Sequence, residues 1–471
     1  MTVLPCRANL ITDQKSIYQL LLSCQQNSQK NCAEIVSIAL EIELVDPLAV
    51  LDKLAKPDEL NFYFENRGKG EAIAAIDAVA TLQVEGSRHR FDKAQEFINS
   101  CLANTITFGA TNELFTGPHF FCSFSFFDKP AQADYPFPAA TVFLPRWQIA
   151  RRRDRCILVA NLVMHADVNI QFLLHDLWEK IELIRLPRYS SSQFNSYRQE
   201  LIKEDVTVTN NFKRAVLSCL ASIQSNHLSK IVLAHTLDVA SNAPFNLFQS
   251  LNNLRSLHPD CYIFSTSNGR GQNFIGASPE RLISIHNQEL TTDALAGSAA
   301  RGKTAAEDTD LANRLLNSEK EKREHQVVVD FITQRLCKLD LVPQLLSPRL
   351  RRLSNIQHLW TPIQAKVPAN VHPLEIVAEL HPTPAVAGAT RDVACEEIRH
   401  YETFERGLYA APLGWVDYQG NSEFIVGIRS ALINGAHARL YAGAGIVAGS
   451  DPDKELAEIQ LKLQALLKAL I

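Results

Sequence analysis

The ten cysteines of this 471-residue chain include no Cys-x-x-Cys pair. That removes the spacing a zinc site or a redox dithiol requires, and the scatter does not read as a disulfide framework either. Reduced, mostly buried thiols are the expectation. Positive charge is not in excess: 47 Lys and Arg stand against 51 Asp and Glu, for a formal net charge of -4. No global field therefore favours nucleic acid or an anionic membrane. A run of about 18 apolar residues is also missing, and the stretch from Met1 to Ile11 lacks a basic region followed by a long apolar core. These absences predict a cytoplasmic protein with no signal peptide, no membrane segment and no nucleic-acid partner. The Walker spacing is absent as well, so Gly68-Lys69-Gly70 reads as a turn and not as a phosphate cradle.

What remains is a globular composition, 46% hydrophobic and 21% charged, with enough chain for one large α/β domain or two to three average ones. Residues 1–190 read as scaffold. Thr12-Asp13 is placed to cap a helix over residues 14–25, and Asp46-Pro47 to open a short helix ending at Leu54. Residues 35–42, 61–65, 119–127, 140–146 and 156–163 have strand patterns. The basic run Arg151 to Arg155 carries no interleaved aromatics, so it predicts a solvated hairpin turn. A polar, turn-rich stretch from Pro187 to Ser196 marks the most plausible boundary, dividing residues 1–190 from 191–471.

Chemistry collects in the second part. Residues 197–228 read as helical, and Lys230 then enters an apolar strand. Desolvation there would lower its pKa and make it a usable base; the ordinary alternative is a surface lysine at a strand end. Pro279 bars a central-strand amide, so Glu280 is expected at a bulge or sheet end, as a general acid or as a plain surface carboxylate. Residues 290–295 are extended, and residues 295–302 predict a loop of small residues.

Glu321 and Glu324 share one face of a helix predicted over residues 317–336. Glu455, Glu458 and Lys462 share a face of a second helix, which Ser450 or Asp451 caps and Pro452 opens. Two carboxylate pairs are what a hard divalent cation takes, though a solvated charged stripe is the commoner use of such faces. His325 reads as a packing or hydrogen-bonding residue, since Mg²⁺ prefers oxygen. Gly443, Gly445 and Gly449 allow close approach to a bound molecule. Arg429, in an otherwise apolar strand spanning residues 424–432, must find an anion: a substrate carboxylate or an internal salt bridge.

Together these segments resemble the chorismate-utilising enzymes, the family that includes isochorismate, salicylate and anthranilate synthases and aminodeoxychorismate synthase. The matching residues are Lys230-Ile-Val-Leu-Ala, Gly276-Ala-Ser-Pro-Glu-Arg-Leu, Leu295-Ala-Gly-Ser, Glu324-His325, His381-Pro-Thr-Pro-Ala, Tyr409, Ile428-Arg-Ser-Ala and Gly443-Ala-Gly-Ile-Val through Glu458 and Lys462, in the family's order. The resemblance implies a single large α/β (α+β) domain with two stacked antiparallel sheets flanked by helices. The division near residue 190 then becomes an internal one.

By the same resemblance, Glu324 and Glu458 are the Mg²⁺ ligands, with Glu455 and Glu321 behind them or acting through water. Magnesium would hold the ring carboxylate of chorismate. Tyr409, Arg429, the Gly443 backbone and Lys462 would hold the enolpyruvyl carboxylate. Gly297 and Ser298 would line the ring, and His381 and Ala385, in the matching Pro-rich loop, would also be substrate-binding residues. Lys230 suits water activation where anthranilate synthases carry glutamine, and alanine at 385 suits isochorismate synthases where ammonia-using or pyruvate-eliminating members tend to carry threonine. The resemblance is closest to isochorismate synthase: Lys230 as base, Glu280 as acid, no amidotransferase subunit, and a monomer. Salicylate synthase and the ammonia-using synthases are the alternatives. Supply to a quinone, a siderophore or salicylate stays open. Two residues depart from the pattern, His235 for arginine and Ser298 for threonine, and neither is a proposed acid, base or metal ligand.

Overall fold

The computed structural model describes residues 14–27, 34–109, 114–129, 135–185, 201–204, 209–225, 227–352 and 356–471. The expected Thr12-Asp13 cap and the boundary at 187–196 lie outside them.

Among these residues the strands, in chain order, are β1 (Glu34–Ile42), β2 (Asn61–Asn66), β3 (Glu71–Val84), β4 (Thr105–Phe108), β5 (His119–Phe124), β6 (Ala140–Arg152), β7 (Arg155–Met164), β8 (Leu201–Glu204), β9 (Lys230–Ser241), β10 (Tyr262–Ser267), β11 (Gln272–Ser278), β12 (Arg281–His286), β13 (Glu289–Ala300), β14 (Gln344–Leu345), β15 (Arg349–Arg352), β16 (Ile356–Lys366), β17 (Pro412–Asp417), β18 (Ser422–Val426), β19 (Ser430–Asn434) and β20 (His437–Val447). The helices are α1 (Gln14–Asn27), α2 (Pro47–Leu54), α3 (Arg90–Ala103), α4 (Ile170–Arg185), α5 (Thr209–Gln224), α6 (Leu247–Leu257), α7 (Ala305–Asn317), α8 (Glu319–Cys337), α9 (Pro373–Leu380), α10 (Arg391–Tyr401) and α11 (Pro452–Leu470).

Strand pairing resolves into two sheets joined at a corner. One runs β4-β1-β7-β6-β3-β2-β10-β11-β19-β20-β9-β8, antiparallel except for β1 with β4. The other runs from β3 and β6 through β5, β17, β18, β12, β13 and β16, with β14 and β15 on the far edge of β16. The long strands β3 and β6 belong to both, and β3 turns where Asp77 takes φ 59 and the register slips between Ala78 and Ala80. The sheets face one another: the rings of Phe62 on β2 and Phe121 on β5 lie 5.2 Å apart, and the Tyr262 hydroxyl on β10 donates to Glu423 on β18 over 2.8 Å. A large apolar core cluster draws on strands of both.

Strand alternation is weak here because both faces are covered. Near-continuous apolar runs such as Ile231 to Ala234, all buried, are the signature of that burial. Helix starts follow local chemistry. The Asp451 carboxylate accepts from the amides of Asp453 and Lys454 with Pro452 in the first turn, and Ser318 accepts from the Glu321 amide to begin α8.

Three local expectations are corrected. Residues 201–204 form a strand on β9 before α5 begins at Thr209, so the region 197–228 is not all helix. Residues 295–300 continue β13 instead of forming a loop, with a bulge at Gly297, whose φ of 74 suits glycine. Arg429 lies in a break between β18 and β19, at φ 50, and not inside one strand.

Candidate active site

Two chain crossings build the centre of the site. Between β11 and β12 the chain passes from one sheet to the other, and Pro279 and Glu280 occupy that link; between β18 and β19 it passes back, through Ile428 and Arg429. The crossings lie side by side. The Val426 amide donates to the Glu280 carbonyl and the Ala277 amide to the Arg429 carbonyl, each over 3.1 Å, and the Ser278 hydroxyl donates to the Val426 carbonyl over 2.6 Å. An acid and an arginine are thus presented from irregular backbone held by both sheets.

A cavity of about 180 Å³ opens there. Lys230, Glu280, Gly297, Ser298, Glu324, Ala385, Tyr409, Arg429, Gly443, Glu458 and Lys462 all line it, which gathers most of the residues named from the sequence.

Lys230 is buried and its ammonium contacts Glu324 Oε1 at 2.6 Å. The apolar surroundings expected for a free amine are therefore replaced by an ion pair. Glu280 is buried too, and burial raises its carboxyl to about 7, with Lys230 opposing the rise and Asp293 adding to it. A carboxyl with that pKa keeps its proton in about half of the molecules at neutral pH and can give it up.

Beside β9, on β20 and α11, Lys462 donates to the Gly443 carbonyl over 2.8 Å and pairs with Glu458 over 2.7 Å. Tyr409 stacks on Tyr441 with ring centroids 5.2 Å apart and interplanar angle 12°, and burial keeps its hydroxyl protonated. A Cβ added at Gly443 would lie 2.7 Å from that hydroxyl, so the glycine leaves room for it. Arg429 has no carboxylate partner among the described residues; its guanidinium reaches Cys261 Sγ at 3.8 Å. The internal salt bridge offered as the alternative is not formed, and a half-buried cation faces the cavity wall without an anion.

Glu321 and Glu455 do not line the cavity. Glu321 accepts from the Ser298 amide over 3.3 Å. Both carboxyls are pushed up by burial, with Glu324 adding to the rise at Glu321 and Glu458 at Glu455. Among the described residues no three His, Cys, Asp or Glu side chains converge as a ready metal cage. The donor set still fits magnesium, which commonly takes one or two protein carboxylates and fills its other positions with water and substrate oxygens. Glu324 and Glu458 reach the cavity from different helices and carry the oxygen ligands that such an ion needs.

His381 is set apart. Its Nε2 lies 3.0 Å from the Phe126 carbonyl, its ring meets Phe126 edge-on, and it lines a different cavity. His325 is buried on Thr361 Oγ1 at 2.8 Å, the hydrogen-bonding role expected of it. Sequence reasoning missed His358, which lines the active cavity with Nδ1 2.8 Å from the Ser298 hydroxyl. Burial, then Arg429 and Lys462, lower its pKa to about 3, so it is a neutral imidazole in the site. The signal available for it was its place on β16 opposite Ser298, which only the strand register reveals.

The chain is 30% identical over 464 residues to isochorismate synthase MenF of Bacillus subtilis, covering 96% of this chain and 97% of that protein. It is 41% identical over 256 residues to the salicylate biosynthesis isochorismate synthase of Pseudomonas aeruginosa, about half of each chain, at 54% and 53%. Among solved structures, the menaquinone-specific isochorismate synthase MenF of Escherichia coli superposes with a TM-score of 0.78 at 26% identity, over 98% of this chain and 100% of that one. The family model described as chorismate binding enzyme matches residues 19–471, and the chain belongs to that family.

Proposed function

We propose that the protein is an isochorismate synthase, converting chorismate to isochorismate. The observation that carries this reading is the pairing, in one cavity, of Lys230 with a buried Glu280 whose carboxyl titrates at about 7. The isochorismate synthases among its relatives support it.

In this scheme Arg429, Tyr409 and Lys462, with the Gly443 backbone, hold the enolpyruvyl carboxylate, and Gly297 and Ser298 border the ring. Glu324 and Glu458 would hold Mg²⁺, with Glu321 and Glu455 supporting them. The ion would supply positive charge that orients the ring carboxylate and offsets its negative charge. With the Lys230–Glu324 contact open and the ammonium proton lost to solvent, the neutral amine takes a proton from a water whose oxygen bonds to C2 of the ring. The ring double bonds shift, the C4–O bond breaks, and Glu280 gives its proton to the departing hydroxyl as water. One water enters and one leaves, so the product is an isomer. Water is the nucleophile, so no glutamine-hydrolysing subunit is required.

The test is incubation of purified protein with chorismate, with and without Mg²⁺, and separation of products by chromatography and mass. Isochorismate at equilibrium with chorismate, formed only with metal, is the expected result. Salicylate with pyruvate would overturn the product assignment, and a requirement for ammonia would overturn Lys230 as the water-activating base.

A further inference from the structure

β9 carries Lys230 at its start, and only one of its edges is fully covered there. β20 pairs with it from Lys230 to Ala240, whereas on the other edge β8 reaches only Asp238 to Ser241. Buried backbone groups on a bare edge must find other partners. Residues 387–389 meet two of them: the Ala389 amide donates to the Lys230 carbonyl over 3.0 Å, and the Val232 amide donates to the Ala387 carbonyl over 2.8 Å. A Cβ at Gly388, whose φ is 143, would come within 2.4 Å of the Lys230 carbonyl, so this approach needs the glycine.

The next two groups are met by a pair of charged side chains. Arg406 donates from Nη2 to the Val232 carbonyl over 2.8 Å, and Glu402 Oε1 accepts from the Ala234 amide over 2.8 Å. The two bind each other in a fork, Nε to Oε2 over 2.8 Å and Nη2 to Oε1 over 2.5 Å. Arg406 Nη1 also donates to the Val386 carbonyl over 2.9 Å. Their side chains are 1% and 4% exposed, and the guanidinium lies over the Phe126 ring at 4.4 Å. Val232 and Val386 both line the active cavity, two residues from Lys230 and one from Ala385.

We infer that Arg406 and Glu402 are positioning residues for the reaction: they stand in for a missing strand, and by gripping the Val232 and Val386 carbonyls together they set the base strand against the Ala385 wall. Neither residue lines the cavity. The ion pair is retained where an apolar pair would pack because only a planar fork can bind two carbonyls and a carboxylate at once. This inference rests on the isochorismate synthase reading, deepens it, and is separable from it.

The experiment measures kcat, KM for chorismate and thermal midpoint for the wild type, Arg406→Lys, Glu402→Gln and the double variant Arg406→Met with Glu402→Leu. Lysine keeps the charge but cannot bridge both carbonyls. Glutamine keeps an acceptor for the Ala234 amide. The double variant leaves no uncompensated buried charge, so it should cost less stability than either charge removed alone. The expected result is a fall in kcat of about a hundredfold for Arg406→Lys and the double variant, by misplacement of the base, with a smaller rise in KM, because Arg429 and Lys462 lie elsewhere in the chain while Tyr409 donates its amide to the Arg406 carbonyl over 2.8 Å and has its ring 5.8 Å from the guanidinium. Glu402→Gln should lose less. Folded variants with wild-type kcat and only a lowered midpoint would overturn the inference. A wild type that forms no isochorismate would instead overturn the functional reading.

Discussion

Two cavities of this molecule make an instructive pair. The one beside Lys230 has a volume of about 180 Å³; the one beside His381 has about 820 Å³ and is bordered by Arg88, Arg90, Lys129, Arg391 and Arg399. Size and positive charge favour the second, yet its cations are largely engaged. Arg90 donates to the Ser125 carbonyl, Arg391 to the carbonyls of Glu379 and His381, and Arg399 to that of Lys129, while Asp128 lies 3.6 Å from both Arg88 and Arg399. In the smaller cavity Lys230 pairs with Glu324 across two elements and Lys462 with Glu458 one turn along α11, while Arg429 has no carboxylate at all among the described residues. Groups left available to a ligand, and not the room around them, distinguish a site from a cleft.

The contrast breaks most directly at its strongest point. Lys230→Ala and Glu280→Gln should each lower kcat by about 10²- to 10⁴-fold with circular dichroism unchanged; a near-normal rate in either would remove that residue's role. Glu280 also makes a stability prediction. Its folded pKa of about 7 lies above the 4.5 of an unburied glutamate, so the folded state binds the extra proton and the wild type loses stability as pH rises from below 4.5 through 7. Against Glu280→Gln, whose side chain does not titrate, the wild type should therefore fall behind by on the order of 3 kcal/mol between pH 4 and pH 8 in denaturant titrations. The same proton should appear as an alkaline limb near pH 7 in kcat/KM, absent if Glu280 is not the acid.

Smaller effects sharpen the boundary between the two cavities. Gly443→Ala places a methyl against the Tyr409 hydroxyl and should reduce kcat/KM by about tenfold to a hundredfold, with Tyr409→Phe in the same chain restoring part of it by making room. His381→Asn should lower stability by about 1 kcal/mol through the lost bond to the Phe126 carbonyl, leaving KM for chorismate unchanged; a raised KM would put His381 back among the substrate-binding residues. Arg399→Ala, in the larger cavity, should change neither kcat nor KM, and a change in either would mean that cavity communicates with the reaction.

Much of the site was legible because it follows local rules. Asp451-Pro452 announces a helix, and three- and four-residue spacing then fixes Glu455, Glu458 and Lys462 on one side of it; Pro279 puts Glu280 at the end of a strand, where it is found. What escaped depends on pairing across long separations. The Arg429 break looks like continuous strand because its neighbours are apolar, and only the exchange of partners, β18 on β12 and β17 but β19 on β11 and β20, exposes it. Gly297 reads as a loop glycine until β13 is seen to continue beside β16 with a bulge. Arg406 sits in a charged stretch that suggests solvent, although it is among the most deeply buried large side chains of the protein.

The shared strands β3 and β6 have a mechanical consequence. A sheet creased along two continuous strands resists shear at the crease, because sliding one half against the other would tear ladder bonds that β3 and β6 make with each other from Glu71 to Val84. Glu280 and Arg429 sit in the two crossings between the halves, and hydrogen bonds tie those crossings to one another. The helices α8 and α11 join the sheets through side chains instead of a backbone ladder: Glu321 to the Ser298 amide, His325 to Thr361, and Lys462 to the Gly443 carbonyl. The carboxylates of Glu324 and Glu458 therefore meet the cavity from elements that take no part in the creased ladder, facing an acid and an arginine that the crossings carry.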